Sequence, residues 1–137
     1  MIGLVIVTHG GLAAEFISAR QYLRALRLRL LVQQELGQLL RDVDVLLVPT
    51  TSVLPARSDG TSPPESLMLY AQNTRLFSMP GLPAVSVPAG FSTEGLPIGL
   101  QIVGRPFDEA TILRMAHAYE QATPWHSKTP PLATALN

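Results

Sequence analysis

The sequence predicts an α/β fold in which a mixed sheet is flanked by helices, and three observations carry that expectation. A long stretch with apolar residues at helical spacing precedes a near-continuous apolar run at 43–48. Two further short apolar runs, at 84–88 and 98–103, are separated by hairpin-like turn residues. A second helical stretch closes the pattern. The order helix, strand, loop, strand, strand, helix suits helices packed on a sheet.

Each element has its own justification. Residues 2–7 form a short β-branched run ending on Gly10-Gly11, a strand followed by a turn. From about Leu12 to Arg41 there is no proline and only Gly37 interrupts. Ala19, Leu23, Leu26 and Leu30 recur at helical spacing there, with Arg20, Arg24 and Arg27 on another face, which reads as a solvated one. The run Val43-Asp44-Val45-Leu46-Leu47-Val48, closed by Pro49, suits a strand buried on both faces. Residues 49–66 carry four prolines, Gly60 and several serines and threonines, a loop too long to be a simple connector. A short helix is expected near 67–76, then the two strands around a turn at 90–95. Asp108 is placed to cap a last helix reaching Thr123, with Ile112, Met115, Ala116 and Tyr119 on one face and Pro124 as its stop.

Composition narrows the function. The 137 residues are one domain's worth of chain, and ten basic against ten acidic residues give a formal net charge of zero. That balance offers no electrostatic footprint for nucleic acid or an anionic membrane. No cysteine is present, which excludes disulfides, thiolate nucleophiles and zinc–thiolate sites. No apolar run approaches the roughly 18 residues that a membrane span needs. The expectation is a soluble cytoplasmic protein without membrane or nucleic-acid partners. The basic set holds nine arginines and a single lysine, Lys128.

Conventional chemistry motifs are missing: there is no Walker loop, GxGxxG, HExxH or GxSxG. His9, His117 and His126 have no metal-ligand spacing, and no metal or cofactor is expected. Asp108 and Glu109 are accounted for as helix-start carboxylates. Trp125-His126 follows the stop proline and is expected to pack the tail.

One long segment does carry a signature. It runs Asn73-Thr74-Arg75-Leu76-Phe77-Ser78-Met79-Pro80-Gly81-Leu82-Pro83-Ala84-Val85-Ser86-Val87-Pro88-Ala89-Gly90-Phe91. It continues with Glu94-Gly95-Leu96-Pro97-Ile98-Gly99-Leu100-Gln101-Ile102-Val103-Gly104-Arg105-Pro106-Phe107-Asp108-Glu109. Glycines at 81, 90, 95, 99 and 104 permit positive φ or close backbone approach, and prolines at 83, 88 and 97 confine strands to ends or edges. With Asp44-Val45-Leu46-Leu47-Val48-Pro49-Thr50 before it and Ala118-Tyr119-Glu120-Gln121-Ala122-Thr123-Pro124 after it, the segment strongly resembles the C-terminal region of amidase-signature enzymes, serine hydrolases of carbon–nitrogen bonds. The likeness covers about residues 17–132 and implies a partial amidase-signature fold over 17–137, with 1–16 a strand and turn of uncertain origin. Ser78 stands where that family often has asparagine, and Pro80 is unusual there.

The resemblance also implies what is missing. Members of the family use a serine–cis-serine–lysine triad in a Gly/Ser-rich stretch ahead of the region resembled here. This chain has no such stretch, and Lys128 lies in a proline-flanked tail, a poor place for the desolvated neutral base that the triad needs. No catalytic, cofactor-binding or metal-ligating residue is therefore assigned. The expectation is a C-terminal portion of an amidase-like hydrolase, inactive alone, or a noncatalytic subunit docking on a chain that carries the triad. A hydrophobic fraction of 47 % is a lot for this chain to bury by itself. It points to a homo-oligomer or a missing catalytic portion as partner, through Leu23, Leu26 and Leu30 and the edges of strands 43–48 and 98–103. Separately, residues 1–13 resemble the opening of the IIA domain of mannose-type sugar phosphotransferase systems, where a histidine ending the first strand carries a phosphoryl group. His9 takes that place; a fused or truncated N-terminus is the plainer reading.

Overall fold

The computed structural model describes residues 4–6, 15–17, 19–56 and 66–129. The readings made at His9, at Gly10-Gly11 and over 57–65 of the long loop lie outside them. Two short strands, β1 (Leu4–Ile6) and β2 (Glu15–Ile17), pair antiparallel. Helix α1 (Ala19–Asp42) follows. It starts later than its periodicity suggests because Glu15–Ile17 is taken up in extended pairing with β1.

The main sheet is built from β3 (Val45–Pro49) and the hairpin β4 (Ala84–Phe91) and β5 (Pro97–Gly104). Helix α2 (Ser66–Ser78) lies between β3 and β4 in sequence, and α3 (Glu109–Ala122) follows β5. The α/β class, an open sheet flanked by helices, is as expected. The mixed pairing is not: the order is β3-β5-β4 and both pairs are antiparallel. β3 and β4 point the same way, but the hairpin folds β5 back between them.

That placement corrects two further expectations. β5 is the central strand, so residues 98–103 present no edge. Among the described strands β3 lies at an edge, and it is only half-buried, not covered on both faces. An apolar run reads the same in either setting. β4 is the other edge, and its Pro88 sits beside a register shift at Gly90, where a missing N–H does no harm.

Alternation along the strands sorts side chains onto two layers. On one face Ile102 and Val87 pack with Ile112 and Ala116 of α3. On the other, Val103 packs with Leu36 of α1 and Phe77 of α2, supported by Val32, Leu46, Val48 and Leu82. Gly104 sets the approach of α3, since a Cβ there would lie 2.6 Å from Ile112 Cγ2.

Arg105 ties the end of β5 to the end of α1. Its guanidinium donates to the carbonyl oxygens of Leu40 (2.8 Å) and Val43 (3.1 Å) and reaches Asp44 at 3.2 Å. Carbonyls at a helix C-terminus lack intrahelical donors, and this side chain supplies them. Asp108 stands at the N-cap position of α3, but its carboxylate accepts from the Thr111 hydroxyl (2.7 Å) instead of a backbone N–H. Trp125 packs as expected while His126 beside it is exposed: Trp125, in a single 3-10 turn (Trp125–Ser127), meets Phe91 edge-on at 6.2 Å and lies over Gly90.

The first half of α1 contributes no buried residue. Every residue from Ala19 to Leu31 is exposed, the arginines as expected and the leucines with them. Leu23, Leu26 and Leu30 are 55, 37 and 58 % exposed, while the residues of α1 that bury are Leu36 and Leu40.

Candidate functional site

The sheet face that meets α1 and α2 changes character along its length. Near Val103 it is apolar and covered. Toward Thr50 it is polar and open. Strand register puts Ser86 opposite Gln101 and Pro88 opposite Gly99, while the Thr50 N–H donates to the Gly99 carbonyl at 2.9 Å. Thr50, Ser86, Gly99 and Gln101 therefore share one face.

Glycine at 99 is what lets the hydroxyls meet. A Cβ there would lie 2.7 Å from Thr50 Oγ1 and 3.0 Å from Ser86 Oγ. With the hydrogen atom in its place, the two hydroxyls close to 2.6 Å across β5. The loop after β3 is held against α2 by polar bonds. Asn73 Nδ2 donates to the Pro49 carbonyl (2.8 Å), and the Tyr70 hydroxyl donates to the Leu54 carbonyl (2.9 Å). On the far side of α2, Gln33 Nε2 donates to the carbonyl of buried Pro80 at 2.6 Å. The unusual Pro80 thus has a place in the α1–α2 junction.

These elements frame a cavity of about 310 Å³ lined by Thr50, Thr74, Ser78, Ser86 and Gln101 with Leu82, Ala84 and Val85. Ser78, Ala84 and Ser86 are exposed, so the cavity is a cleft open to solvent. Gln101 is different: it is 4 % exposed and its Oε1 has no hydrogen-bond partner. A buried acceptor left unpaired costs about 1–3 kcal/mol, and none of the described residues donates to this one.

The lining is four hydroxyls and one amide, with no ionisable side chain. Such a set orients a neutral polar group. It cannot supply the base that activates a serine, which requires an adjacent titrating group. The chemistry-bearing residues that stand out in the sequence lie elsewhere. His117 is exposed on α3, while His126 and Lys128 are exposed in and after the 3-10 turn. Glu109 opens α3, exposed. Ser78, the departure from the family pattern, does line the cleft. Thr50, Thr74, Ser86 and Gln101 fall within the signature segments, but no pattern of spacing marks them as a group. The available signal was Gln101, a polar residue at an inward position of an otherwise apolar strand. Among the described residues no group of three or more His, Cys, Asp or Glu is placed to hold a metal ion, and no helix is long and apolar enough to cross a membrane.

The amidase family model matches residues 4–113, and the chain belongs to the amidase family. It is 45 % identical over 116 residues to a glutamyl-tRNA(Gln) amidotransferase subunit of Oceanobacillus iheyensis, covering 83 % of this chain and 24 % of that protein. The crystal structure of the corresponding Thermotoga maritima protein aligns with a TM-score of 0.67 at 34 % identity, over 77 % of this chain and 23 % of that one. A bacterial aryl acylamidase of the amidase-signature family aligns with a TM-score of 0.71 at 30 % identity, over 81 % and 24 % of the two chains. The chain spans about a quarter of the length of the curated relatives it matches. The family match takes in residues 4–13 as well, and the likeness of the first thirteen residues to a phosphotransferase domain gains no support.

Proposed function

We propose that this chain is the C-terminal, triad-free part of an amidase-family carbon–nitrogen hydrolase, inactive on amides by itself and acting with a polypeptide that brings the serine–serine–lysine triad. The observation that carries this reading is the composition of the cleft. Its side chains hold and orient neutral polar groups but include no base, and the chain's one lysine, Lys128, is exposed in the tail. The relatives favour the same reading, since this chain corresponds to a quarter of an aryl acylamidase and of proteins named as a subunit of an amidotransferase. The open cleft and the exposed half of α1 are the surfaces on which the remaining portion would pack, whether it belongs to the same polypeptide or to a partner chain.

The test is hydrolysis of simple amides and esters by the purified chain and by its Lys128→Ala variant, against a no-protein blank. No turnover above the blank is expected from either. Turnover that survives Lys128→Ala would reveal an unrecognised catalytic group, and turnover abolished by it would make Lys128 a base; both contradict the reading.

A further inference from the structure

We propose that the outer edge of β3 is a docking site for a second copy of this chain. The two strands pair antiparallel about Leu46, with Val45 of each copy opposite the partner's Leu47, and the two three-stranded sheets run on as one. This contact is separate from the leucine stripe of α1 and does not rest on the function proposed above.

The phase of the hydrogen bonding points to it. The Thr50 N–H donates to the Gly99 carbonyl at 2.9 Å, and the same register pairs Val48 with Gln101 and Leu46 with Val103. In an antiparallel ladder, pairs that exchange hydrogen bonds alternate with pairs that do not. Thr50, Val48 and Leu46 therefore direct their main-chain groups to β5, while Val45, Leu47 and Pro49 turn theirs outward. Pro49 has no N–H, and its carbonyl accepts from Asn73 Nδ2 at 2.8 Å. At the other end the Val43 carbonyl accepts from Arg105 Nη2 at 3.1 Å. Between these two stops, the N–H and carbonyl groups of Val45 and Leu47 have no partner among the described residues.

This short window is self-complementary. Pairing about Leu46 sets each Val45 against the partner's Leu47, so every free donor meets a free acceptor. Centring on Leu47 would put Val45 against the partner's Pro49, which has no N–H. Centring on Val45 would put Leu47 against the partner's Val43, whose carbonyl is taken. The side chains suit the same register. Val45 is half-buried and Leu47 is 49 % exposed, so apolar side chains meet directly across the pair. Asp44 falls opposite the partner's Val48, and no two carboxylates oppose each other. A two-fold contact of this kind uses the same patch on both copies and closes as a dimer.

β4, the other edge among the described strands, is guarded against the same pairing. The Gly104 N–H donates to the Pro83 carbonyl at 3.0 Å. Val85 and Val87 therefore exchange bonds with β5, and Ala84, Ser86 and Pro88 turn outward. Pro88 offers no donor, the register shifts between Pro88 and Gly90, and the Trp125 ring lies over Gly90. Prolines, bulges and covering groups are what keep natural strand edges from pairing. β3 carries such protection only at Pro49, the last residue of the strand.

The chain has no cysteine, so single introduced thiols report the contact directly. Opposed residues of a pair that exchanges no hydrogen bonds have Cα atoms about 4.5 Å apart, within reach of a disulfide. The full chain is oxidised with copper phenanthroline at micromolar concentration as Leu46→Cys, Leu47→Cys and Glu94→Cys, the last at the exposed hairpin tip. Disulfide-linked dimer is read on a non-reducing gel. The yield from Leu46→Cys should exceed that from Glu94→Cys by about ten-fold or more, because paired thiols meet at an effective concentration far above that of free collision. Leu47→Cys should stay near the Glu94→Cys level, since each Leu47 faces the partner's Val45. Adding Leu47→Pro to Leu46→Cys removes an N–H that β5 does not use, and should abolish the excess. Leu47→Lys keeps the backbone intact and should do the same by placing a charge on the edge; it decides alone if circular dichroism shows the proline variant unfolded. A Leu46→Cys yield no higher than that of Glu94→Cys would overturn the proposal. So would equal linking at Leu46 and Leu47, or an excess that persists with Leu47→Lys.

Discussion

Gly99 and Phe107 show how single positions set the local geometry. At Gly99 the Thr50 and Ser86 hydroxyls occupy the space a Cβ would need, at 2.7 and 3.0 Å. Gly99→Ala should therefore separate that pair and destabilise the chain by about 1–3 kcal/mol, read as a lower urea midpoint at unchanged slope. Phe107 is the reverse case. It holds a positive φ of 62° with its ring 95 % exposed, so the backbone is strained and the side chain packs on nothing in the described residues. Asparagine tolerates that conformation better, and Phe107→Asn should raise stability by roughly 0.5–1 kcal/mol in the same assay. Loss of stability would mean the ring has a contact in solution. Much of this was legible beforehand only in outline. The glycines of the signature segment divide into three with positive φ, at 81, 90 and 95, and two in close approach, at 99 and 104. Periodicity cannot separate those two causes, because both need only the absent Cβ. Gln101 was half visible: a polar residue at an inward strand position can be read in the sequence, whereas its unpaired oxygen is a property of its neighbours.

Between elements, Arg105 is the joint that the structure makes testable. Its ion pair with Asp44 is largely solvent-exposed, with the Asp44 side chain 81 % exposed, and contributes little. The bonds to the Leu40 and Val43 carbonyls are another matter, since they finish α1 and fix it to the sheet. Arg105→Met should cost about 1–3 kcal/mol, and Arg105→Lys should not restore it, because one ammonium cannot reproduce the planar fork. Asp44→Asn should be near neutral. Equal losses for Arg105→Met and Asp44→Asn would show that the ion pair, not the carbonyl bonds, is what matters. The β4–β5 hairpin was readable from its glycines and prolines because those residues restrict the backbone locally. The position of β3 at an edge, the central position of β5 and the late start of α1 were not, because each depends on which distant segment pairs with which.

At the largest scale the described residues form a sheet-and-helix unit with exposed surfaces. The first half of α1 is exposed, β3 pairs on one side only among the described strands, and the polar end of the sheet is open. The sequence anticipated the exposed leucines through the excess of apolar residues and the resemblance to a longer family. It could not locate the open cleft, which exists only once β3, β4 and β5 are aligned. Apolar area removed from water is worth about 25 cal/mol per Å², so a face bearing Leu23, Leu26 and Leu30 drives association when nothing else covers it. The most direct measurement of the claim that this chain lacks a large packing partner is sedimentation velocity of the purified protein at micromolar concentration, with Leu26→Glu beside it. The account predicts a dimer or larger species that Leu26→Glu shifts toward monomer; a clean, stable monomer of the wild-type chain would contradict it.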